Sequence, residues 1–317
     1  MKNIFKLLRK DVISSPPWDY DFLYNLPERE YSIYLEKVFK LNTGDTLPLE
    51  YDFKNKLWII NKSRCKTFNQ KIQYLKLYDA TPLKRDCTDK VKVRDFVGER
   101  IGAEYLKPVL QICNNFDEIN FVKLPKSFVL KCNHGCKWQY IIKDKQEFLD
   151  TKSLFELVKK NITGWLEQEY WVWSGFEMQY HNIESKILIE PLMRDYIDKE
   201  PEKINIYCFN GEPKIFIRFF DKNTMSIWNS KFKHIDNIFN FSEGNIKTDV
   251  DDYINQTFEL VKKLAKSFNF VRIDWMIYQN KLYFEELTFT PYSGFLNFKD
   301  YKAEIDLGRL LDIGEGN

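Results

Sequence analysis

The sequence predicts mixed α+β structure, on three observations. Segments with apolar residues at helical spacing alternate with strand-like runs to the end of the chain, which argues against an all-helical or all-strand fold. Asn210-Gly211 sits between two strand-like runs and is the strongest short hairpin signal present. A second hairpin pattern, RIDWMIYQNKLYFEELTFTP, spans Arg272 to Pro291. With 317 residues, 44% of them hydrophobic, the chain can bury a large core and suits one large or two to three smaller lobes.

The elements follow in order. Residues 1–88 form a mixed, aromatic-rich N-terminal region. Its last part, KTFNQKIQYLKLYDATP, sets Phe68, Ile72, Leu75 and Leu77 on a helix that stops before Pro82. In TDKVKVRDFVGERIGAEYL, Val93, Phe96, Val97 and Ile101 repeat at helical spacing with Thr88 or Asp89 as the cap, so Lys90 lies near a helix N-terminus. Phe128 to Cys132 reads as a short apolar strand running into a turn that contains Gly135. TKSLFELVKKNITGWLEQEY is helical in pattern, SKILIEPLM is a strand that stops at Pro191, and INIYCFNGEPKIFIRF is a strand pair. DVDDYINQTFELVKKLAKSF aligns Ile254, Phe258, Val261 and Leu264 on one face, with acids at its start where the helix macrodipole favours them.

Composition excludes several classes. Forty-eight basic against 46 acidic residues leave a formal charge of +2, so there is no bulk electrostatic argument for nucleic acid. An aromatic fraction of 16% with 12 Gly and 11 Pro is not the make-up of a disordered chain. Cysteines at 65, 87, 113, 132, 136 and 208 lack CxxC pairs and the density of a secreted disulfide scaffold, which fits reduced thiols and a cytoplasmic location. The start, MKNIFKLLRKDVISSPPW, breaks its apolar run at Lys6 and Arg9 and reads as a docking helix or a frayed end, with at most peripheral contact to a membrane. No run of about 20 apolar residues is present to cross a bilayer.

The second hairpin carries an acid in each strand, Asp274 and Glu286. Register decides whether they meet. A three-residue loop at 279–281 sets Asp274 across from Glu286; a loop of Gln279-Asn280 sets it across from Glu285, and one of Asn280-Lys281 across from Leu287. Asn280 tolerates positive φ and serves any of these turns. Opposed carboxylates about 5 Å apart repel by roughly 3 kcal/mol at an effective dielectric near 20. A divalent cation relieves that repulsion, as does an ion pair with Arg272 or Lys281.

The stretches KTFNQKIQYLKLYDATPL, DKVKVRDFV, FVLKCNHG, ILIEPL, YCFNGEPK and FVRIDWMIYQNKLYFEELTFTPYSGF together resemble, in order, the blocks of the TupA-like ATP-grasp family. The resemblance covers about residues 65–298. It implies an ATP-grasp fold, with the nucleotide held between two α+β lobes and an N-terminal extension. The implied parts are an N-terminal region at 1–88, a first lobe segment at 89–127, a central lobe with a mobile loop at 128–192, and a C-terminal lobe with the metal-binding hairpin at 193–317.

By the same resemblance Lys90 and Lys131 hold nucleotide phosphates, Glu190 and the Leu192 backbone meet the ribose and adenine, and Asp274, Glu286 and Thr288 bind magnesium. Thr288 stands where many ATP-grasp enzymes have a ligating Asn. Thr290, with Ser293 and Gly294, lies in the block implied to approach the acyl phosphate. His134, Gly135 and Lys137 belong to the loop implied to close on the phosphates. That loop is Gly-rich in the family, roughly HGSG, whereas here His134-Gly135 is followed by Cys136-Lys137-Trp138, with Lys137 as the residue that would rebuild the grip. Lys203 and Asn205 replace an Asp and a basic residue of the family.

The implied activity is an ATP-dependent carboxylate-amine ligase of cell-surface polysaccharide biosynthesis, with ATP and Mg2+ as cofactors. A uronic acid glycan or an amino acid would supply the carboxylate. Two other classes are open. The run Asp249-Val250-Asp251-Asp252 resembles the metal-binding DxD of a glycosyltransferase, although acids before a helix also serve as caps. The altered loop suits a non-catalytic nucleotide or sugar binder. Cys132, His134 and Cys136 lack a second ligand pair for zinc, and GxSxG, GxGxxG and GxxxxGK[ST] are absent.

Overall fold

The computed structural model describes residues 25–194 and 200–314; the basic, apolar start of the chain lies outside them. The described residues are α+β. The N-terminal region contributes α1 (Tyr31–Thr43), the strands β1 (Leu49–Asp52) and β2 (Leu57–Ile60), and α2 (Phe68–Tyr78). The start of α2 is a capping box: the Thr67 hydroxyl accepts from the Gln70 amide while the Gln70 side chain accepts from the Thr67 amide. Pro82 opens α3 (Pro82–Thr88) at its first turn, where its missing N–H leaves no bond unmade.

Helix α4 (Val93–Ile101) begins later than its caps were expected to act. Thr88 is the last residue of α3 and its hydroxyl bonds the Lys84 carbonyl, so it is not available to α4. Asp89 instead accepts from Val91, and Lys90 lies in the short connection between the two helices.

A four-stranded antiparallel sheet of β3 (Gln111–Cys113), β4 (Phe128–Cys132), β5 (Gln139–Ile142) and β6 (Ile187–Pro191) runs in the order β3-β6-β4-β5. Helices α5 (Lys145–Asp150) and α6 (Lys152–Leu166) close its core around Phe128, Leu130, Ile187 and Ile189, and the short α7 (Tyr170–Trp173) follows.

The second sheet has six strands: β7 (Glu202–Phe209), β8 (Glu212–Phe219), β9 (Thr224–Asn229), the two-residue β10 (Gly244–Asn245), β11 (Phe270–Tyr278) and β12 (Lys281–Thr288), in the order β10-β9-β8-β7-β11-β12. Asn210 and Gly211 have φ of 50° and 81°, as a tight hairpin turn requires. Helix α8 (Asp252–Ala265) is capped by Asp251, whose carboxylate accepts from the Ile254 amide. Helix α9 (Tyr301–Leu310) ends the described fold and packs on α2.

Period-2 alternation divides this sheet into two faces. Ile204, Ile206, Phe216, Val271, Ile273 and Trp275 face a core with α4 and α8. Tyr207, Phe209, Ile215, Ile217 and Phe270 face the opposite core, built with α1 and α2. Further along β7 and β11, that second face turns polar. Arg272 pairs with Tyr207, Asp274 with Asn205 and Met276 with Lys203, so the sheet is core at one end and a polar floor at the other.

Candidate active site

The β11–β12 turn has two residues, Gln279 and Asn280, both with positive φ. By strand alternation alone, only a three-residue loop sets Asp274 across from Glu286. The structure corrects this: Trp275 pairs with Phe284 but Asp274 pairs with Glu286, because a bulge at Glu285 inserts one extra residue into β12. As a result two consecutive acids serve one cleft, where a regular strand would send them to opposite faces. Glu285 bonds Lys107 at 2.8 Å and lies 3.5 Å from Lys203.

Arg272 organises the floor. Its Nε and terminal NH2 donate to the two carboxylate oxygens of Asp274 at 2.7 and 2.5 Å. The same NH2 lies 3.4 Å from Glu286 Oε1 and 3.2 Å from the Thr288 hydroxyl, which itself donates to Glu286 at 3.0 Å. Burial pushes the Asp274 carboxyl up to about 7 against the pull of Arg272. Burial also acts on Glu286, but Arg272 and Lys90 outweigh it and hold that carboxylate below its ordinary range. In the sequence Arg272 stands out only as a neutralising partner for an acid. Its position two residues before Asp274 on the same strand face is the signal that places it in the site.

These donors suit magnesium. Asp274, Glu286 and Thr288 offer hard oxygens on one face, and Asn205 Oδ1, on the strand beside Asp274, is buried without a hydrogen-bond partner among the described residues. Among the described residues no group of three or more His, Cys, Asp or Glu is placed to hold a metal. Two carboxylates with a hydroxyl nevertheless fit an ion that completes its shell with water and phosphate oxygens.

The residues that the resemblance assigns to the nucleotide lie on the four-stranded sheet and the loop beside it. Lys131 on β4 bonds Glu190 on β6 at 2.6 Å, both nearly buried, with Leu192 just past the end of β6. Burial raises Glu190, but Lys131, Lys107 and Arg94 together hold it below the usual carboxylate range. Burial also draws Lys131 down, although Glu190 opposes that. Lys90 donates to the Gly135 and Asn133 carbonyls, so it grips the loop after β4.

That loop is fastened rather than glycine-rich. Asn133 donates to Asp89 at 2.8 Å and accepts from the Lys186 amide at 2.6 Å. His134 is buried, its Nε2 3.0 Å from the Trp165 carbonyl oxygen and its Nδ1 3.2 Å from Asn133 Oδ1. Trp138 stacks on Trp165 with planes 2° apart and meets Tyr170 edge-on. A Cβ on Gly135 would lie 2.5 Å from the Trp138 ring, so close ring packing explains this glycine. Lys137 is exposed at the loop tip with φ of 59°.

Thr290 lies just beyond β12 with its hydroxyl buried, donating to Glu177 and accepting from Gln179 at 2.7 Å. A cavity of about 570 Å³ opens beside Lys203, lined also by Phe219, Asp221, Lys222 and Glu243. Asp251 of the DxD-like run is occupied as the cap of α8 and as an ion partner of Arg218. All six cysteines are free, and burial pushes the Cys132 and Cys136 thiols up to about 12 and about 11. Among the described residues no helix is long and apolar enough to cross a membrane.

A family model described as TupA-like ATPgrasp matches residues 70–312. A search of curated proteins returns no match. Among solved structures, the D-alanine–D-alanine ligase of Bacillus anthracis complexed with ATP is similar at 16% identity and a TM-score of 0.37, covering 64% of this chain and 53% of that one. The D-alanine–D-alanine ligase of Helicobacter pylori shows 17% identity and a TM-score of 0.41, over 83% of this chain and 77% of that one. An L-amino acid ligase from Bacillus licheniformis shows 11% identity and a TM-score of 0.40, over 69% and 47%. The chain spans about half the length of the Bacillus anthracis protein.

Proposed function

Because the chain belongs to the TupA-like ATP-grasp family, we propose that it is an ATP-dependent carboxylate-amine ligase of cell-surface polysaccharide biosynthesis, acting on a capsule, O-antigen or teichuronopeptide-type polymer. A carboxylate of a uronic acid glycan or an amino acid takes the γ-phosphoryl group of ATP, and ADP leaves. An amine nitrogen then bonds the acyl carbon, the carbon–oxygen bond to phosphate breaks, and phosphate and a proton are released with the amide. The reading puts the reaction in the cytoplasm, where ATP is available.

One observation carries the reading: Arg272, Asp274, Glu286 and Thr288 meet on one strand face, within electrostatic reach of Lys90. Magnesium held by Asp274, Glu286 and Thr288 would supply charge neutralisation for the transferring group. Lys90 and Lys131 are compact point charges suited to phosphate oxygens, and Lys137 is free at the loop tip to join them. Glu190 and the Leu192 backbone would take the ribose and adenine. Arg272 offers donors, already oriented by Asp274, to charge that develops on the reacting carboxylate. Thr290 borders the acyl phosphate. The cavity beside Lys203 gives room for the acceptor.

The test is to supply magnesium-ATP with a uronic acid glycan or amino acid and a panel of amines. Phosphate release with a mass gain equal to amide formation supports the ligase. Transfer from a nucleotide sugar without ATP cleavage would replace it with a glycosyltransferase. A second reading, a non-catalytic binder, draws on the pairing of Arg272 with Asp274 and of Lys131 with Glu190, which leaves these groups mutually neutralised. Tight ATP binding without turnover across the panel selects that reading.

A further inference from the structure

The turn that follows β12 is strained. Tyr292, Ser293 and Gly294 have φ of 52°, 54° and 76°, three left-handed residues in succession, two of them not glycine. Such a conformation costs roughly 1–2 kcal/mol per non-glycine residue and persists only where the surroundings over-determine it.

Two buried charged side chains hold its two ends. Glu177, before the 3₁₀ turn Met178–Tyr180, accepts from the Thr290 hydroxyl. Lys76 of α2 donates to the Ser293 carbonyl at 3.0 Å. Gln73, one turn earlier on α2, donates to the Ser293 and Gly294 carbonyls at 3.1 and 3.0 Å, and the Ser293 hydroxyl donates to the Ser174 carbonyl at 2.6 Å. Lys76 is 0% exposed and Glu177 6%.

Buried opposite charges are poor stabilisers, since apolar side chains of similar volume replace them at no loss or with a gain. Lys76 and Glu177 do something apolar residues cannot: they bond the two ends of one turn that starts two residues beyond Thr288. Lys76 also joins α2, which lies in the N-terminal region, to the end of the site floor. Glu286, Tyr170, Tyr180 and Cys136 are the other titratable groups close to Glu177.

We propose that Lys76 and Glu177 are positioning residues that hold the Thr290–Gly294 turn as the wall against which the acceptor amine is presented. The proposal rests on the ligase reading for the identity of the acceptor; the bracing of the turn stands on the geometry alone. It assigns the N-terminal region a part in the reaction, through α2.

The experiment compares the full chain with the double variant Lys76→Met/Glu177→Gln and the single variant Lys76→Arg. The expected result is a double variant that melts no lower than the parent, with KM for the amine raised about tenfold or more and KM for ATP unchanged, and with Lys76→Arg recovering part of the loss. An unchanged KM for the amine in a folded double variant overturns the proposal, as does an equal rise in both KM values. If the double variant does not fold, Gln73→Leu removes two bonds to the turn without touching the buried charges, and the same two KM values decide. If the parent turns over no amine, the ligase reading fails while the bracing is still read by hydrogen exchange. The Ser293 and Phe295 amides, bonded to Thr290 and Tyr292 in the parent, should exchange at least about tenfold faster in Lys76→Met, confined to the turn. Unchanged exchange there overturns the bracing itself.

Discussion

Asp274 and Glu286 face one another across a hairpin whose two-residue turn, taken alone, would have paired Asp274 with Glu285. The bulge supplies the missing residue, and with it the cleft gains Glu286 beside Asp274 and Glu285. Without that insertion Glu286 would point toward the core that holds Ile273 and Trp275.

Removing either floor acid should stop metal-dependent turnover. Asp274→Asn and Glu286→Gln are each expected to lower the rate of magnesium-dependent ADP release by about 100-fold, a loss of roughly 2.7 kcal/mol of transition-state stabilisation. A magnesium titration of ADP release checks this. Undiminished rates in both variants would remove the site assignment.

Arg272 supports the fold as well as the site. Arg272→Met leaves Asp274 buried without its fork, which should cost about 3–5 kcal/mol by the denaturation midpoint. Arg272→Lys keeps the charge but not the two parallel bonds, so it should recover stability better than activity.

The acid limb of stability should report Glu190. Its folded carboxyl lies below the ordinary value of 4.5, so the stability it contributes is present above 4.5 and is lost as pH falls below that value. Chemical denaturation of Glu190→Gln and of the parent should therefore differ at pH 7 and converge toward acid pH. A gap that widens on acidification would show the sign to be wrong.

Gly135→Ala tests the fastened loop. The added carbon must displace the Trp138 ring, and overpacking of this kind costs about 1–3 kcal/mol. A lowered melting temperature and a weaker affinity for ATP are expected together, because Lys90 reaches the Gly135 carbonyl. Melting without any change in nucleotide affinity would separate the loop from the site.

Local features were legible in the sequence where local chemistry decides them. Phe128–Cys132 is read from its apolar run and is β4 with the same bounds, and Asn210-Gly211 turns where its φ preferences require. The acids before α8 act as a cap, as their position suggests. The bulge at Glu285 leaves no such mark, because Asn280 suits every candidate turn and Gln279 is not a residue that announces positive φ. The Lys107–Glu285 and Lys76–Ser293 contacts join residues 178 and 217 positions apart, and no periodicity encodes such meetings. His134 belongs to the loop that the resemblance implies to close on the phosphates; the burial of its ring against Trp165 comes from aromatic packing with a distant helix.

The bulge has one more consequence, for the protein's company in a crowded solution. Among the described residues, strand β12 is an outer strand of the six-stranded sheet, touched on its open side at Phe284 by a bridge from Leu106. An outer strand with regular spacing is a template for pairing with a second chain. An extra residue that breaks the spacing, with a charged side chain turned inward at that point, spoils the template. The residue that completes the cleft also makes that strand a poor seed for aggregation.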